Sequence, residues 1–322
     1  MGLQLAHPLV AGASPMTDNL DKVRRLEDAG AAGIVMHSLF EEQITREQLG
    51  TIMHMEMHND SFAEALSYFP NPEDYRLGPE EYLDQIRKVK GAVSCPVIGS
   101  LNGASGEGWV DYARLIQQAG ADALELNVYF VSSRVDVDAG AVEKRILDIV
   151  RSVKQAVTIP IAVKLSPFFS ALRHFAGALD VAGADGLVMF NRFYQPDINV
   201  DELEVEPTLR LSNSSELLLR LRWTAILHGQ VNASLAVTGG VHEPMDLVKA
   251  LMAGADAVQV VSSLLTQGPE HISFLRQGLE RFLERKEYGS VARLKGSMSL
   301  KTCPDPEAFE RANYMRVLNT WR

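Results

Sequence analysis

One phrase recurs four times along the chain: Asp28-Ala-Gly-Ala-Ala-Gly-Ile-Val, Gln118-Ala-Gly-Ala-Asp-Ala-Leu-Glu, Val181-Ala-Gly-Ala-Asp-Gly-Leu-Val and Met252-Ala-Gly-Ala-Asp-Ala-Val-Gln. Each copy follows a stretch of helical period and precedes a strand-like apolar run. The central glycine suits a helix C-terminus, where a left-handed backbone favours it, and its small neighbours let helix and strand approach closely. The phrase therefore reads as an αβ joint. The intervals between copies fit two βα units each better than the short period of a solenoid.

Filling the intervals predicts eight strands: Pro8–Ala13, Gly33–His37, Pro96–Leu101, Ala123–Val128, Pro160–Leu165, Gly186–Asn191, Ser234–Gly239 and Ala257–Ser262. Helical segments lie between them, for example Trp109–Ala119, Ala141–Ala156 and Met245–Ala253. Eight βα units in a chain of 322 residues predict an α/β fold, a single (β/α)8 TIM barrel spanning residues 1–322, since a doubly wound sheet more often has fewer strands. Two connections are longer than joints. Residues 38–80 follow strand 2 and 192–212 follow strand 6; both leave the C-terminal ends of strands, where barrel enzymes keep their active sites, so both are candidate walls or lids. Residues 288–322 are expected to form a C-terminal extension that carries no chemistry.

Composition removes several classes of function. A net charge of −10 argues against sequence-blind nucleic-acid binding, which needs clustered Lys and Arg. Cys95 and Cys303 make neither a disulfide framework nor a cysteine metal site. No apolar run approaches the roughly 18 residues of a membrane span, and the N-terminus lacks a basic leader, so the expected location is the cytoplasm. His54 and His58 stand at helical i, i+4 spacing, but alternating methionines and no third ligand favour a non-metal role. Neither a Gly-x-Ser-x-Gly elbow nor a His-Glu-x-x-His pair is present.

Polar residues at the C-terminal ends of buried strands need a reason to be there. In order they are His37-Ser38, Asn102, Asn127, Lys164, Asn191, Thr238-Gly239-Gly240 and Ser262-Ser263. Lys164 ends "IAVKL", where an ammonium is costly unless it is paired or faces an anion. Two readings stand: an interior ion pair with Glu125 on the adjacent strand, or a ligand-facing cation. After strands 7 and 8, "VTGGVHEP" and "VQVVSSL" lead into helices. Backbone N–H groups at that end of a barrel commonly hold a phosphate, with Gly239 and Gly240 allowing close approach and Ser262 and Ser263 able to add hydrogen bonds.

The strand-5 lysine, the asparagines ending strands 4 and 6 and the Gly-Gly after strand 7 resemble the dihydroorotate dehydrogenase family. The likeness runs from about Pro8 to Lys295, through "HPLVAGASP", "ELNV", "VKLSPFF", "VTGGV" and "AGADAVQVVSSL". It implies FMN as cofactor, oxidation of dihydroorotate to orotate and a place in pyrimidine biosynthesis. By the same resemblance Lys164 would bond the flavin near N1 and O2, stabilising the charge that develops there. Gly239, Gly240, Ser262 and Ser263 would hold the ribityl phosphate, and Gly12, Ala13 and Ser38 would line the isoalloxazine. Asn127 and Asn191 would face flavin and substrate together.

Where the family carries a Cys or Ser base after strand 4, this chain has Phe130, and Ser132 stands where a substrate-gripping Asn belongs. The family's strand-2 Lys-Ser is His37-Ser38 here, and only Asn71 offers a substitute for its asparagine-rich segment. Phenylalanine takes no proton, so dihydroorotate turnover is expected to be absent or far below family levels unless Ser132, Ser133 or Tyr129 supplies a displaced base. Three function classes follow: an FMN-dependent oxidoreductase, a flavin-carrying subunit passing electrons to a partner protein, and a non-redox phosphate-binding barrel such as an aldolase or isomerase. The expected partners are a small-molecule substrate, a second copy in a homodimer and, in the carrier reading, an electron-transfer protein.

Overall fold

The computed structural model describes residues 1–40, 79–103, 106–128, 130, 132–192, 196–206, 209–306 and 313–320. Eight parallel strands close into a barrel: β1 (Leu9–Ala11), β2 (Ile34–Val35, resumed at Leu39–Phe40), β3 (Val97–Asn102), β4 (Ala123–Asn127), β5 (Ile161–Leu165), β6 (Gly186–Met189), β7 (Ser234–Thr238) and β8 (Ala257–Val260). Closure is made by β1, which pairs with β8 on one side (Val10↔Gln259) and with β2 on the other (Ala11↔Ile34). The expected fold class is the observed one.

The recurring phrase explains how the barrel is stitched. Gly30, Gly120, Gly183 and Gly254 all have φ between 94° and 120°, the left-handed turn that lets a helix stop and a strand begin. In three copies the following aspartate does more. Asp122 accepts a hydrogen bond from Val97 N (2.7 Å), Asp185 from Ile161 N (2.9 Å) and Asp256 from Leu235 N (2.8 Å). Each carboxylate thus ties the entrance of one strand to the strand before it, and each is countered by a lysine: Lys90, Lys154 or Lys295.

Surrounding helices include α1 (Leu20–Asp28), α2 (Pro79–Ala92), α3 (Gly106–Gln118), α4 (Ala139–Ala156), α5 (Leu172–Ala182), α6 (Leu217–Leu227), α7 (Pro244–Ala253), α8 (Ser262–Gln267) and α9 (His271–Arg285). They bury an apolar face against the outer side of the strands, with Ile86 and Val89 of α2, Ile149, Val150 and Val153 of α4, and Leu247 and Leu251 of α7 at or below 4% exposure. Inside the barrel the floor is apolar. Val10, Val35, Ile98 and Ala123 form it, and Met1, Leu3 and Leu5 pack against it.

Three boundaries differ from the sequence reading. Strand 2 breaks at 36–38, where His37 N–H turns away to donate to Thr17 Oγ1 (2.8 Å) in place of a neighbouring strand. Ser262 opens α8 and does not end a strand. The connection after β6 contains an antiparallel hairpin, Asp197–Asn199 with Glu204–Glu206. Beyond residue 288 the chain forms a short helix at Val291–Leu294 and another at Asn313–Leu318. No helix among the described residues is long and apolar enough to cross a membrane.

Candidate active site

Above the apolar floor the barrel interior turns polar. Glu125 is fully buried, a position tolerated only when a carboxylate is paired and hydrogen-bonded. Both conditions are met: Lys164 Nζ donates to Oε1 at 2.8 Å and Gln259 Nε2 donates to Oε2 at 2.5 Å. The ion pair that the sequence admitted for Lys164 therefore forms. It uses one of the three ammonium donors, leaving capacity for a ligand.

One pleat higher, Asn127 lies in register with Asn102 of β3 on one side and Lys164 of β5 on the other. Asn191, just past β6, donates from Nδ2 to Asn127 Oδ1 (2.8 Å), while its backbone N–H donates to Leu165 O (2.7 Å). Three strand ends thus bring Asn127, Lys164 and Asn191 together. Ser38 joins this face through a 2.7 Å hydroxyl contact with Ser100, whose backbone is clamped by the Tyr82 phenol. Burial pushes the Tyr82 ionisation upward, so that phenol stays protonated. Gly12 N–H donates to Val260 O, and a Cβ at Gly12 would stand 2.6 Å from Val261 Cγ2; close packing against the strand-8 end therefore requires that glycine.

At the strand-7 end Gly239 and Gly240 have φ of +84° and +79°. A Cβ at Gly239 would come 2.9 Å from Arg220 Nη2, and one at Gly240 would come 2.5 Å from the backbone nitrogen of Leu217. Only glycine fits either place. Gly240 N–H donates to Ser212 Oγ (3.2 Å), and Ser212 N–H donates to Ser262 Oγ (3.1 Å), so one serine links the two turns. The Ser263 hydroxyl donates to Val241 O (3.0 Å). Because Ser263 is 1% exposed its hydroxyl must find a partner inside the protein, and it fastens the two turns to each other where the sequence reading expected a free donor. Arg220, also buried, donates from Nη1 to Glu216 O (2.6 Å) and from Nε to Thr238 O. Desolvation lowers its pKa, and the charge of Glu216 acts against that shift.

At the base position after β4 stands Phe130. The Phe130 ring lies 4.3 Å from the Arg145 guanidinium, a cation–π contact on α4. Ser132 and Ser133 are exposed. Ser132 lines a groove of about 290 Å³ with Phe130, Val142 and Phe169, whose walls include none of Asn127, Lys164, Asn191 or Gly239. Tyr129, Asn71, His54 and His58 lie outside the described residues.

Ser212, Arg220 and Gln259 were not singled out from the sequence. A buried glutamine on strand 8 carries a weak signal, since an interior amide requires a polar partner. Ser212 and Arg220 carry none, because their roles depend on where the loop after β6 and the helix α6 meet the glycine pair.

A closed parallel barrel whose strand ends converge a lysine, two asparagines and a glycine pair at one mouth has the construction of a (β/α)8-barrel enzyme. A family model described as dihydroorotate dehydrogenase matches residues 75–283. The chain belongs to the dihydroorotate dehydrogenase family. Among curated proteins it is 27% identical over 308 residues to the dihydroorotate dehydrogenase B (NAD(+)) catalytic subunit of Methanothermobacter thermautotrophicus, covering 91% of this chain and 95% of that one. Proteins of the same description from Pyrococcus abyssi (27% over 303 residues, 92% and 96% covered) and Thermoplasma acidophilum (25% over 301 residues, 92% and 96% covered) are similarly alike.

Proposed function

We propose that this protein is an FMN-dependent oxidoreductase that oxidises a CH–CH bond in a small substrate of the dihydroorotate type. The observation that carries the reading is the glycine pair after β7: positive φ and a backbone too close to admit a Cβ make the kind of cradle into which a phosphate fits against bare main chain. Gly239, Gly240 and Ser262 would hold the phosphate. Lys164, Asn127, Asn191 and Ser38 would hold the ring system. A bound flavin supplies a hydride acceptor.

This chain's own residues supply position and charge. Lys164 sets a fixed cation where negative charge builds, and Glu125 and Gln259 keep that ammonium in place without motion during reaction. Asn127 and Asn191, bonded to each other, present a rigid amide edge to the substrate. The relatives' description as catalytic subunits favours a second element of the reading: electrons leave through a partner protein.

The test is the visible spectrum of the purified protein, followed by uptake of FMN against FAD. A yellow protein with a preference for FMN is expected. A colourless protein that fails to quench added FMN fluorescence at micromolar concentration refutes the reading and favours the non-redox phosphate-binding barrel.

A further inference from the structure

Among the described residues of the loop after β4, Phe130 takes no proton and stacks on Arg145, and Ser132 lines a groove whose walls hold none of the residues at the barrel mouth. A titratable pair stands at the same end of the barrel on other elements. His37, in the break of β2, places Nδ1 3.4 Å from Asp18 Oδ1. Asp18 closes the short turn Pro15–Asp18 that follows β1.

The placement is built. His37 N–H donates to Thr17 Oγ1 (2.8 Å), and Thr17 Oγ1 donates to Ser14 O (3.0 Å). Gln85 of α2 donates to Thr17 O (2.8 Å), and Thr17 itself is fully buried. The backbone under the imidazole is thus fixed from three directions, while the ring and the carboxylate are only partly covered, at 28% and 17% side-chain exposure. Nε2 of His37 has no hydrogen-bond partner among the described residues. Asp18 is the one charged side chain among them in ion-pair contact with the ring, and the nearby side chains from α2 and β3 (Gln85, Tyr82 and Ser100) are neutral. A separation of 3.4 Å is longer than a formed hydrogen bond, as is common for catalytic contacts before a ligand tightens them.

We propose that His37, oriented by Asp18, is the proton acceptor of this active site. The inference rests on the flavin reading above. The C–H bond of one substrate carbon breaks and its proton moves to His37 Nε2. The C–H bond of the adjacent carbon would break with its electron pair, which a bound flavin would accept as hydride, leaving the two carbons doubly bonded. Asp18 selects the tautomer that carries its proton on Nδ1, leaves Nε2 free to accept and stabilises the imidazolium that results. The proton then passes to water.

The experiment is anaerobic stopped-flow bleaching of the flavin-loaded protein by L-dihydroorotate, from about pH 5.5 to about pH 9.5. Slow bleaching is expected whose rate climbs with pH and then levels. His37→Asn should lower the rate by about 10²-fold or more and flatten the profile, with flavin spectrum and FMN affinity unchanged. Asp18→Asn should keep the flavin and lower the rate by a smaller factor, a control that remains readable if His37→Asn loads flavin poorly. Wild-type rate and profile in His37→Asn overturn the proposal. So does bleaching that vanishes instead in Ser132→Ala or Ser133→Ala, or a flavin-loaded wild type that dihydroorotate never bleaches. A protein that binds no flavin at all sinks the reading of the cofactor instead, which keeps the two failures apart.

Discussion

Replacing Lys164 with methionine keeps most of the side-chain volume and removes the charge, leaving Glu125 as an unmatched carboxylate inside the barrel. The two side chains are 8% and 1% exposed and 2.8 Å apart, so solvent screening gives little relief. Breaking a buried pair from one side costs about 3–5 kcal/mol. For a chain of this size that is a fall in Tm of roughly 4–7 °C. Glu125→Gln should also destabilise, because Gln259 loses a charged acceptor and the ammonium loses its counter-ion. The double substitution Lys164→Met/Glu125→Gln removes both charges together and should recover much of the loss, giving a coupling energy of about 2–3 kcal/mol. Urea unfolding of the four proteins measures it. Additive single effects would show that the pair contributes nothing beyond its separate parts. The flavin midpoint potential gives a second reading of the same variants: loss of a cation near developing negative charge should disfavour reduction by about 2–4 kcal/mol. An unchanged potential in a folded, flavin-loaded Lys164→Met protein would reduce Lys164 to a structural ion pair.

Gly240→Ala should destabilise the protein by more than about 2 kcal/mol and weaken FMN binding, because a left-handed backbone and a Cβ 2.5 Å from Leu217 N both oppose it; thermal melting with and without FMN checks this. Asp185→Asn should cost about 1–2 kcal/mol, read from urea midpoints, since it removes the charge that caps Ile161 N–H and pairs with Lys154; an unchanged midpoint refutes the stitching role given to the joint. Cys95 should resist alkylation at pH 8, because burial, with the nearby charge of Glu27, raises its thiol to about 11; the iodoacetamide rate should climb about tenfold per pH unit up to pH 10, and a plateau by pH 9 contradicts it.

The barrel was legible in the sequence because its determinants are local. A glycine with left-handed φ, flanked by alanines, ends a helix whatever surrounds it, and the four joints did so at Gly30, Gly120, Gly183 and Gly254. Strand ends were legible for the same reason, since a buried apolar run that stops at Asn127 or Lys164 marks its own polar terminus. The strand-2 boundary was misread because Thr17, twenty residues earlier, captures the His37 N–H that the pattern assigned to the sheet.

What the residues could not settle alone is which polar groups meet. The sequence by itself determined eight βα units, a polar mouth and a phenylalanine where a base was expected. Only the tertiary structure decided that Lys164 and Gln259 share the Glu125 carboxylate, that Ser212 bridges Gly240 and Ser262, and that His37 stands beside Asp18. Those contacts join residues from 19 to 134 positions apart, through loop paths with no periodicity to read. Barrel closure puts strand 8 beside strand 1, and that single geometric fact brings the distant side chains into one site.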